Sequence, residues 1–376
     1  MNIGFDGKRA ANNLTGLGNY SRSLILQLSD FFHQNHYFVY TPKVKTAAQI
    51  NSFFQKENIH LKLPPNSQPG SWWRSFGIRN QLKKDDIAIY HGLSNEIPFG
   101  MHNGPVKTVV TIHDLIFLRL PQHYKYIDRV IYNFKSRYAC KHADLIIAIS
   151  ERTKKDIIEL YQVDPARIEV VYQTCDDSFK QLLPQDFKET IRKKYQLPEK
   201  YILNVGTIEP RKNLLLIVQA LSNVQHDFKL VVVGKRQAYA KQVTAEIERL
   251  GLSDRVIFLK DIPFSDLPAI YQLASVFVYP SFYEGFGIPV IEALYGGIPV
   301  VATTGSCLEE AGGPDSLYVA PHNALSLAQA INSIVENPVL ATRMREKGLV
   351  FAQQFNTRLL AHQLMNCYLN LSQKIK

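Results

Sequence analysis

Apolar residues along this chain fall into short continuous runs separated by longer stretches with helical period. Strand-like runs occupy 2–5, 37–41, 59–63, 87–90, 106–112, 145–149 and 168–171 in the first half. In the second half they occupy 201–205, 229–233, 255–259, 276–279, 300–303 and, more briefly, 317–319. Most are apolar at every position, as expected of strands covered on both faces of a parallel sheet. Helical patterning opens at Asn19, and fills 214–221, 324–336, 339–354 and an amphipathic stretch at 357–371. This alternation predicts an α/β protein with parallel sheets. At 376 residues the chain exceeds one usual core. The polar segment 173–200, with Pro184, Pro198 and runs of charge, predicts a linker and a domain boundary near residue 180. Two domains follow, 1–180 and 181–356.

The segment 279–292 reads YPSFYEGFGIPVIE and carries the densest chemistry. A strand leads into a loop with Gly285, Phe286 and Gly287, and Pro289 stands where a helix should start. Proline suits a first helical turn because the N–H it lacks would be unpaired there. A helix N-terminus beside a glycine loop favours an anionic or hydroxyl-rich ligand. Glu284 then stands at the mouth of the loop and Glu292 in the first turns of the helix. The plainer alternative is a strand–loop–helix turn with two solvated glutamates. Upstream, the strand 201–205 runs into Gly206-Thr207-Ile208-Glu209-Pro210-Arg211-Lys212, with Asn213 as a natural cap for the helix 214–221. Arg211 and Lys212 at a strand's C-terminal end suit a diphosphate, the first as a bidentate fork and the second as a point charge. Alone, such a pair is usually a solvated loop.

Taken together, these motifs resemble the retaining nucleotide-sugar glycosyltransferases of the GT-B fold, in particular glycosyltransferase family 4 (group 1). The resemblance rests on the two glutamates Glu284 and Glu292 in an E-x7-E spacing, the E-G-F-G-x-P core, and the G-x-x-x-P-R-K loop at Gly206 to Lys212. Gly16-Leu17-Gly18 and Thr111-Ile112-His113-Asp114 extend it into the first half, and the TIHDL and PRKN variants look most like bacterial surface-polysaccharide mannosyltransferases.

The resemblance implies two Rossmann-like domains with parallel sheets facing a central cleft. The N-terminal domain, joined by the last helix (357–376), would bind the acceptor and the C-terminal domain the nucleotide-sugar donor. Glu292 would hold the ribose, Arg211 and Lys212 the diphosphate, and Glu284 with the backbone of Gly285 to Gly287 the sugar. Gly16 and Gly18 would admit the donor phosphates, and His113 would look toward the transferred sugar from the other domain. GDP-mannose as donor, and a glycan or lipid-linked acceptor, follow from the subfamily alone. UDP-sugar transfer, a phosphorylase or epimerase on the same scaffold, and a catalytically silent sugar-nucleotide-binding subunit are the rivals.

Composition narrows the picture. With 46% hydrophobic and 20% charged residues the chain is an ordinary globular protein, and no apolar run approaches the roughly 18 residues needed to span a bilayer. The start reads as a first strand and not a signal peptide. Four scattered cysteines point to a reduced, cytoplasmic compartment. Residues 1–180 hold 23 Lys+Arg against 16 Asp+Glu, which is +7 of the chain's +10. No nucleic-acid motif accompanies that charge, so a membrane surface or lipid-phosphate acceptor is the better partner for it, with simple solubility as the alternative. Peripheral attachment at the inner face of the cytoplasmic membrane is consistent with both.

Asp-x-Asp is absent from the sequence and no His/Cys set has zinc spacing, so neither a metal nor a cofactor is expected. Arg211 and Lys212 would then neutralise the leaving diphosphate. Gly16-Leu17-Gly18 is not a nicotinamide fingerprint, because its third position is Ser21 and no acidic residue ends the second strand. His91, which ends the strand before His113, is a weaker candidate for acceptor contacts. So are Trp72 and Trp73, which join Arg74, Phe76 and Arg79 in an aromatic–basic cluster suited to a bilayer interface or to an ordinary packed loop. Two positions depart from the family pattern: Thr207 replaces the arginine that usually follows the phosphate-loop glycine, and the N-G-x-D turn reads Gln173-Thr174-Cys175-Asp176.

Overall fold

The computed structural model describes residues 1–65, 69–101, 104–225 and 227–373. The chain divides into two compact units, Met1–Gln173 with Thr357–Lys376, and Thr174–Asn356. Each is an α/β layer structure around its own parallel sheet.

The first sheet contains β1 (Asn2–Asp6), β2 (His36–Tyr40), β3 (Ile59–Lys62), β4 (Ile89–Gly92), β5 (Lys107–Ile112), β6 (Leu145–Ala148) and β7 (Ile168–Val170). Its seven strands are ordered β3-β2-β1-β4-β5-β6-β7, all pairs parallel. The second contains β8 (Tyr201–Val205), β9 (Lys229–Val233), β10 (Val256–Leu259), β11 (Val276–Tyr279), β12 (Val300–Thr303) and β13 (Leu317–Val319). Its six strands run β10-β9-β8-β11-β12-β13, again parallel. Both orders are those of a doubly wound sheet, which reverses direction between its first and fourth strands. Ligands of such sheets bind outside the strands' carboxyl ends at that reversal. In the second sheet the reversal lies between β8 and β11, and the Asn204 side chain bridges them by donating to the Val278 carbonyl at 2.8 Å.

Each predicted strand is present; the central ones are apolar runs buried on both faces, while the edge strands β3, β7, β10 and β13 are only partly buried. The predicted linker is different. Residues 185–195 form a helix, Gln185–Tyr195, that packs against the helix Leu267–Gln272. The boundary lies a little before residue 180 because Phe179 is buried edge-on against Phe264 and Tyr271 of the second unit. The last helix, Thr357–Gln373, buries Leu364, Met365 and Tyr368 in the core of the first unit. Among the described residues no helix is long and apolar enough to cross a membrane.

Candidate active site

Adjacency of β8 and β11 brings together side chains that are far apart in sequence. The loop after β8 ends in a single turn of 3-10 helix, Pro210–Lys212, and the loop after β11 leads into the helix Ile288–Tyr295. The Phe282 N–H donates to the Arg211 carbonyl at 2.9 Å and locks one loop to the other. Asn213 takes a left-handed φ of 57° and makes no side-chain cap. Its amide instead donates to the Pro280 and Pro321 carbonyls, at 3.1 and 2.8 Å. The capping expected of Asn213 is thus replaced by a clamp across three loops. Gly287 has φ 118°, a backbone conformation that requires glycine, and a Cβ there would also press on the tip of Leu308 at 2.9 Å.

Glu284 is buried between two cations. Its Oε1 lies 2.5 Å from Lys212 Nζ and its Oε2 2.8 Å from Arg211 Nη1. Arg211 also donates to Glu209 Oε1 at 2.8 Å and to the Tyr283 carbonyl at 2.7 Å. Lys212 also bonds the Tyr279 hydroxyl and sits 4.9 Å from the centre of that ring. Burial pushes the Glu284 carboxyl up, but Lys212 and Arg211 outweigh it and hold the group at about 2. Burial also works against the Arg211 charge, yet Glu284 and Glu209 raise it; at Lys212 burial wins and the ammonium is lowered. Glu209, Arg211, Lys212 and Glu284 sum to zero charge. The Cys307 thiol, which begins the helix Leu308–Gly312, donates to the Glu284 and Phe286 carbonyls at 3.1 and 2.9 Å. Sequence reasoning missed Cys307, because a lone cysteine after a strand carries no motif.

Glu292 has a different environment. It lies on the helix Ile288–Tyr295, partly exposed, and accepts from the Tyr271 hydroxyl at 2.7 Å. Desolvation pushes its carboxyl up to about 7; the Tyr271 bond opposes this and Asp176 reinforces it. The two glutamates therefore differ in charge state near neutrality. The Phe286 side chain is buried edge-on against Phe355, 5.5 Å between ring centres, so Phe286 can offer a ligand only its backbone. Among the described residues no three His, Cys, Asp or Glu side chains gather as a metal-binding set.

In the first unit the sequence candidates separate. His113 is buried after β5. Its Nε2 lies 2.8 Å from the Leu93 carbonyl and its Nδ1 3.1 Å from Gln173 Nε2. The carbonyl can only accept, so Nε2 carries the proton and Nδ1 accepts from the Gln173 amide. Burial lowers the imidazole to about 4, and it is neutral. Gln173, the departure noted in the turn, is thus what orients His113. His91 is a correction: it is fully buried, with Nδ1 2.6 Å from the Tyr368 hydroxyl and Nε2 2.8 Å from Thr111 Oγ1. It ties the last helix to the sheet and cannot meet an acceptor.

The helix that holds Gly16 and Gly18 starts earlier than expected. The helix Gly16–Phe31 begins at the first of them, not at Asn19. A Cβ on Gly18 would lie 1.8 Å from the Asn13 carbonyl oxygen, so close backbone packing within the unit accounts for that glycine. A Cβ on Gly16 would meet nothing.

Trp73 is a core residue, buried with Tyr40, Ile78 and Leu82, whereas Trp72 is exposed. Arg74 leaves the aromatic cluster to form a buried pair with Asp6, 2.8 and 2.9 Å, at the carboxyl end of β1, and it also bonds Glu96, which Lys135 reaches at 2.8 Å. The sequence gives no sign of this network, whose members are scattered over four elements.

Comparison with known proteins agrees with this geometry. Residues 14–179 match the family described as Glycosyltransferase Family 4, and residues 187–350 match Glycosyl transferases group 1. The chain is 28% identical over 381 residues to an O-antigen chain mannosyltransferase B of Escherichia coli, covering 94% of this chain and 96% of that protein. It is 31% identical over 234 residues to the O-antigen chain mannosyltransferase RfbU of Salmonella typhimurium, covering 62% of each. A glycosyltransferase crystal structure from Rickettsia africae ESF-5 superposes with a TM-score of 0.77 at 19% identity, over 98% of both chains. By its motifs, its two doubly wound sheets and the family matches of both halves, the chain belongs to the family 4, group 1 glycosyltransferases of the GT-B fold.

Proposed function

We propose that this glycosyltransferase is retaining and metal-independent, and that it moves mannose from GDP-mannose onto a glycan or lipid-linked acceptor during synthesis of a bacterial surface polysaccharide. The second unit takes the donor and the first unit the acceptor. The observation that carries the reading is Glu284 held between Arg211 and Lys212 at the reversal point of the second sheet. The named O-antigen mannosyltransferases among its relatives support the choice of sugar and product.

The charges give the chemistry. Because Glu284 and the three charged side chains Glu209, Arg211 and Lys212 are neutral in sum, a donor diphosphate must draw Arg211 and Lys212 away from the carboxylate and meet the positive end of the helix beginning at Ile288. Glu284, so released, accepts from sugar hydroxyls and faces the positive charge that develops on the ring as the diphosphate leaves. The two cations stabilise that leaving group, the work a metal does in other transferases. Glu292 accepts from the ribose diol. Departure and attack take place on one face of the sugar, so a second carboxylate across the bond is not required.

A thermal-shift panel of GDP, UDP and ADP tests this. At 100 times its dissociation constant the right nucleotide adds about 2.7 kcal/mol of stability. A selective response to GDP is expected. A response to UDP alone would reassign the donor, and no response to any of the three would overturn the reading.

A further inference from the structure

A buried hydroxyl without a hydrogen-bond partner is rare enough in a folded protein to call for a reason. Among the described residues the buried side-chain atoms left unpaired are Ser178 Oγ, Ser281 Oγ and the Tyr295 hydroxyl. Only one of these lies in the loop that carries Glu284. Ser281 follows β11 and is fully buried. Its hydroxyl stands beside the Glu284 carboxylate and the Tyr279 hydroxyl, yet it completes a bond to neither.

Slack in the loop does not account for the missing bond. The backbone is fixed at three consecutive residues by three other elements. Asn213 donates to the Pro280 carbonyl at 3.1 Å, Thr303 Oγ1 to the Ser281 carbonyl at 2.5 Å, and the Phe282 N–H to the Arg211 carbonyl at 2.9 Å. Competition does account for it. Each Glu284 oxygen is already occupied by a cation, Oε1 by Lys212 and Oε2 by Arg211, and the Tyr279 hydroxyl is committed to Lys212 as well.

That occupancy ends in the proposed reaction, where the donor diphosphate draws both cations off Glu284. A buried carboxylate stripped of its donors is costly. We propose that Ser281 is a reserve donor for Glu284: its hydroxyl turns onto the carboxylate as Lys212 and Arg211 move to the diphosphate. The turn needs only rotation of one side-chain torsion between staggered positions, with no movement of the clamped backbone. Ser281 is thus a positioning residue that acts through Glu284, keeping it ionised and aimed at the sugar. This deepens the reading of the second-unit site as the donor site and rests on it.

Because the hydroxyl is unpaired in the free protein, its value should appear only when donor binds. Ser281→Ala is compared with the wild type by thermal melting and by calorimetric titration with GDP and GDP-mannose. The melting temperature of the free protein should not fall. Affinity for both ligands should drop roughly tenfold to 100-fold, as for loss of a hydrogen bond to a charged group. In a Glu284→Gln background the same substitution should change affinity by less than about twofold, since no anion remains to receive the bond. A lower melting temperature with unchanged affinity would make Ser281 a structural residue and overturn the inference. An equal loss of affinity in both backgrounds would put the hydroxyl on the donor itself and also overturn it, as would wild-type affinity in Ser281→Ala. Failure of the wild type to bind either ligand would instead sink the catalytic reading, and this inference with it.

Discussion

Lys212 Nζ and Glu284 Oε1 lie 2.5 Å apart, in a buried contact that Arg211 completes from the other side of the carboxylate. The donor diphosphate of the proposed reaction therefore competes with Glu284 for its cations. Glu284→Gln leaves Arg211 and Lys212 short of a buried anion and should cost about 3 kcal/mol of stability. GDP supplies the missing negative charge, so it should raise the melting temperature of the variant more than that of the wild type. Turnover should nonetheless fall at least about 100-fold, because the charge facing the ring is lost. Equal GDP shifts in both proteins together with unchanged kcat would remove Glu284 from the site.

Glu292 sets a pH dependence of opposite sign. Its carboxyl rises from an ordinary 4.5 to about 7 in the folded chain. Folded protein then holds a proton that the unfolded chain has lost, so this group's stabilisation is full below about 4.5 and is lost as pH rises toward 7. Glu284, held at about 2, works the other way: its stabilisation is present above 4.5 and is lost as pH falls through about 2. In binding, the ionised Glu292 is the better acceptor for a ribose diol. KM for GDP-mannose, whose doubly esterified diphosphate does not titrate here, should fall as pH rises through about 7. Steady-state kinetics from pH 5.5 to 8.5 should show that fall in the wild type and a flat profile in Glu292→Gln. The same slope in both would show that Glu292 does not meet the donor.

The His91–Tyr368 bond is structural and predicts an effect on folding alone. Tyr368→Phe leaves a buried His91 nitrogen without its partner and should cost about 1–3 kcal/mol. Denaturant unfolding should register that loss while KM for the acceptor stays at the wild-type value. A raised KM without loss of stability would return His91 to the substrate site.

What the sequence discloses here depends on the range of the interaction. The strands were legible because most are largely apolar runs, and the helix Leu214–Leu221 for the same reason. The helix Gln185–Tyr195 was not, since it buries only Ile191 and its polar surface reads as linker. The residues of the second-sheet site were legible as motifs, but the pairing of Glu284 with Lys212 was not, because it arises from strand order. Depth was also invisible. His91 and His113 both end strands, yet only their neighbours reveal that each has both ring nitrogens engaged. Trp72 and Trp73 are adjacent in sequence and lie in consecutive helical turns, yet one is in solvent and one in the core.

In the proposed reaction this chain transfers a sugar with retention, using the Glu284–Lys212–Arg211 group on a nucleotide-sugar donor. The stereochemistry of the first sugar released tests it most directly. Purified protein is given GDP-α-mannose with or without acceptor glycan, and the anomeric proton is followed by NMR before mutarotation. Retention gives α-configured product first, and loss of the Lys212 cation in Lys212→Ala should lower kcat/KM about 30-fold to several thousandfold, or about 2–5 kcal/mol. Product of β configuration, or a Lys212→Ala variant as active as the wild type, would contradict it.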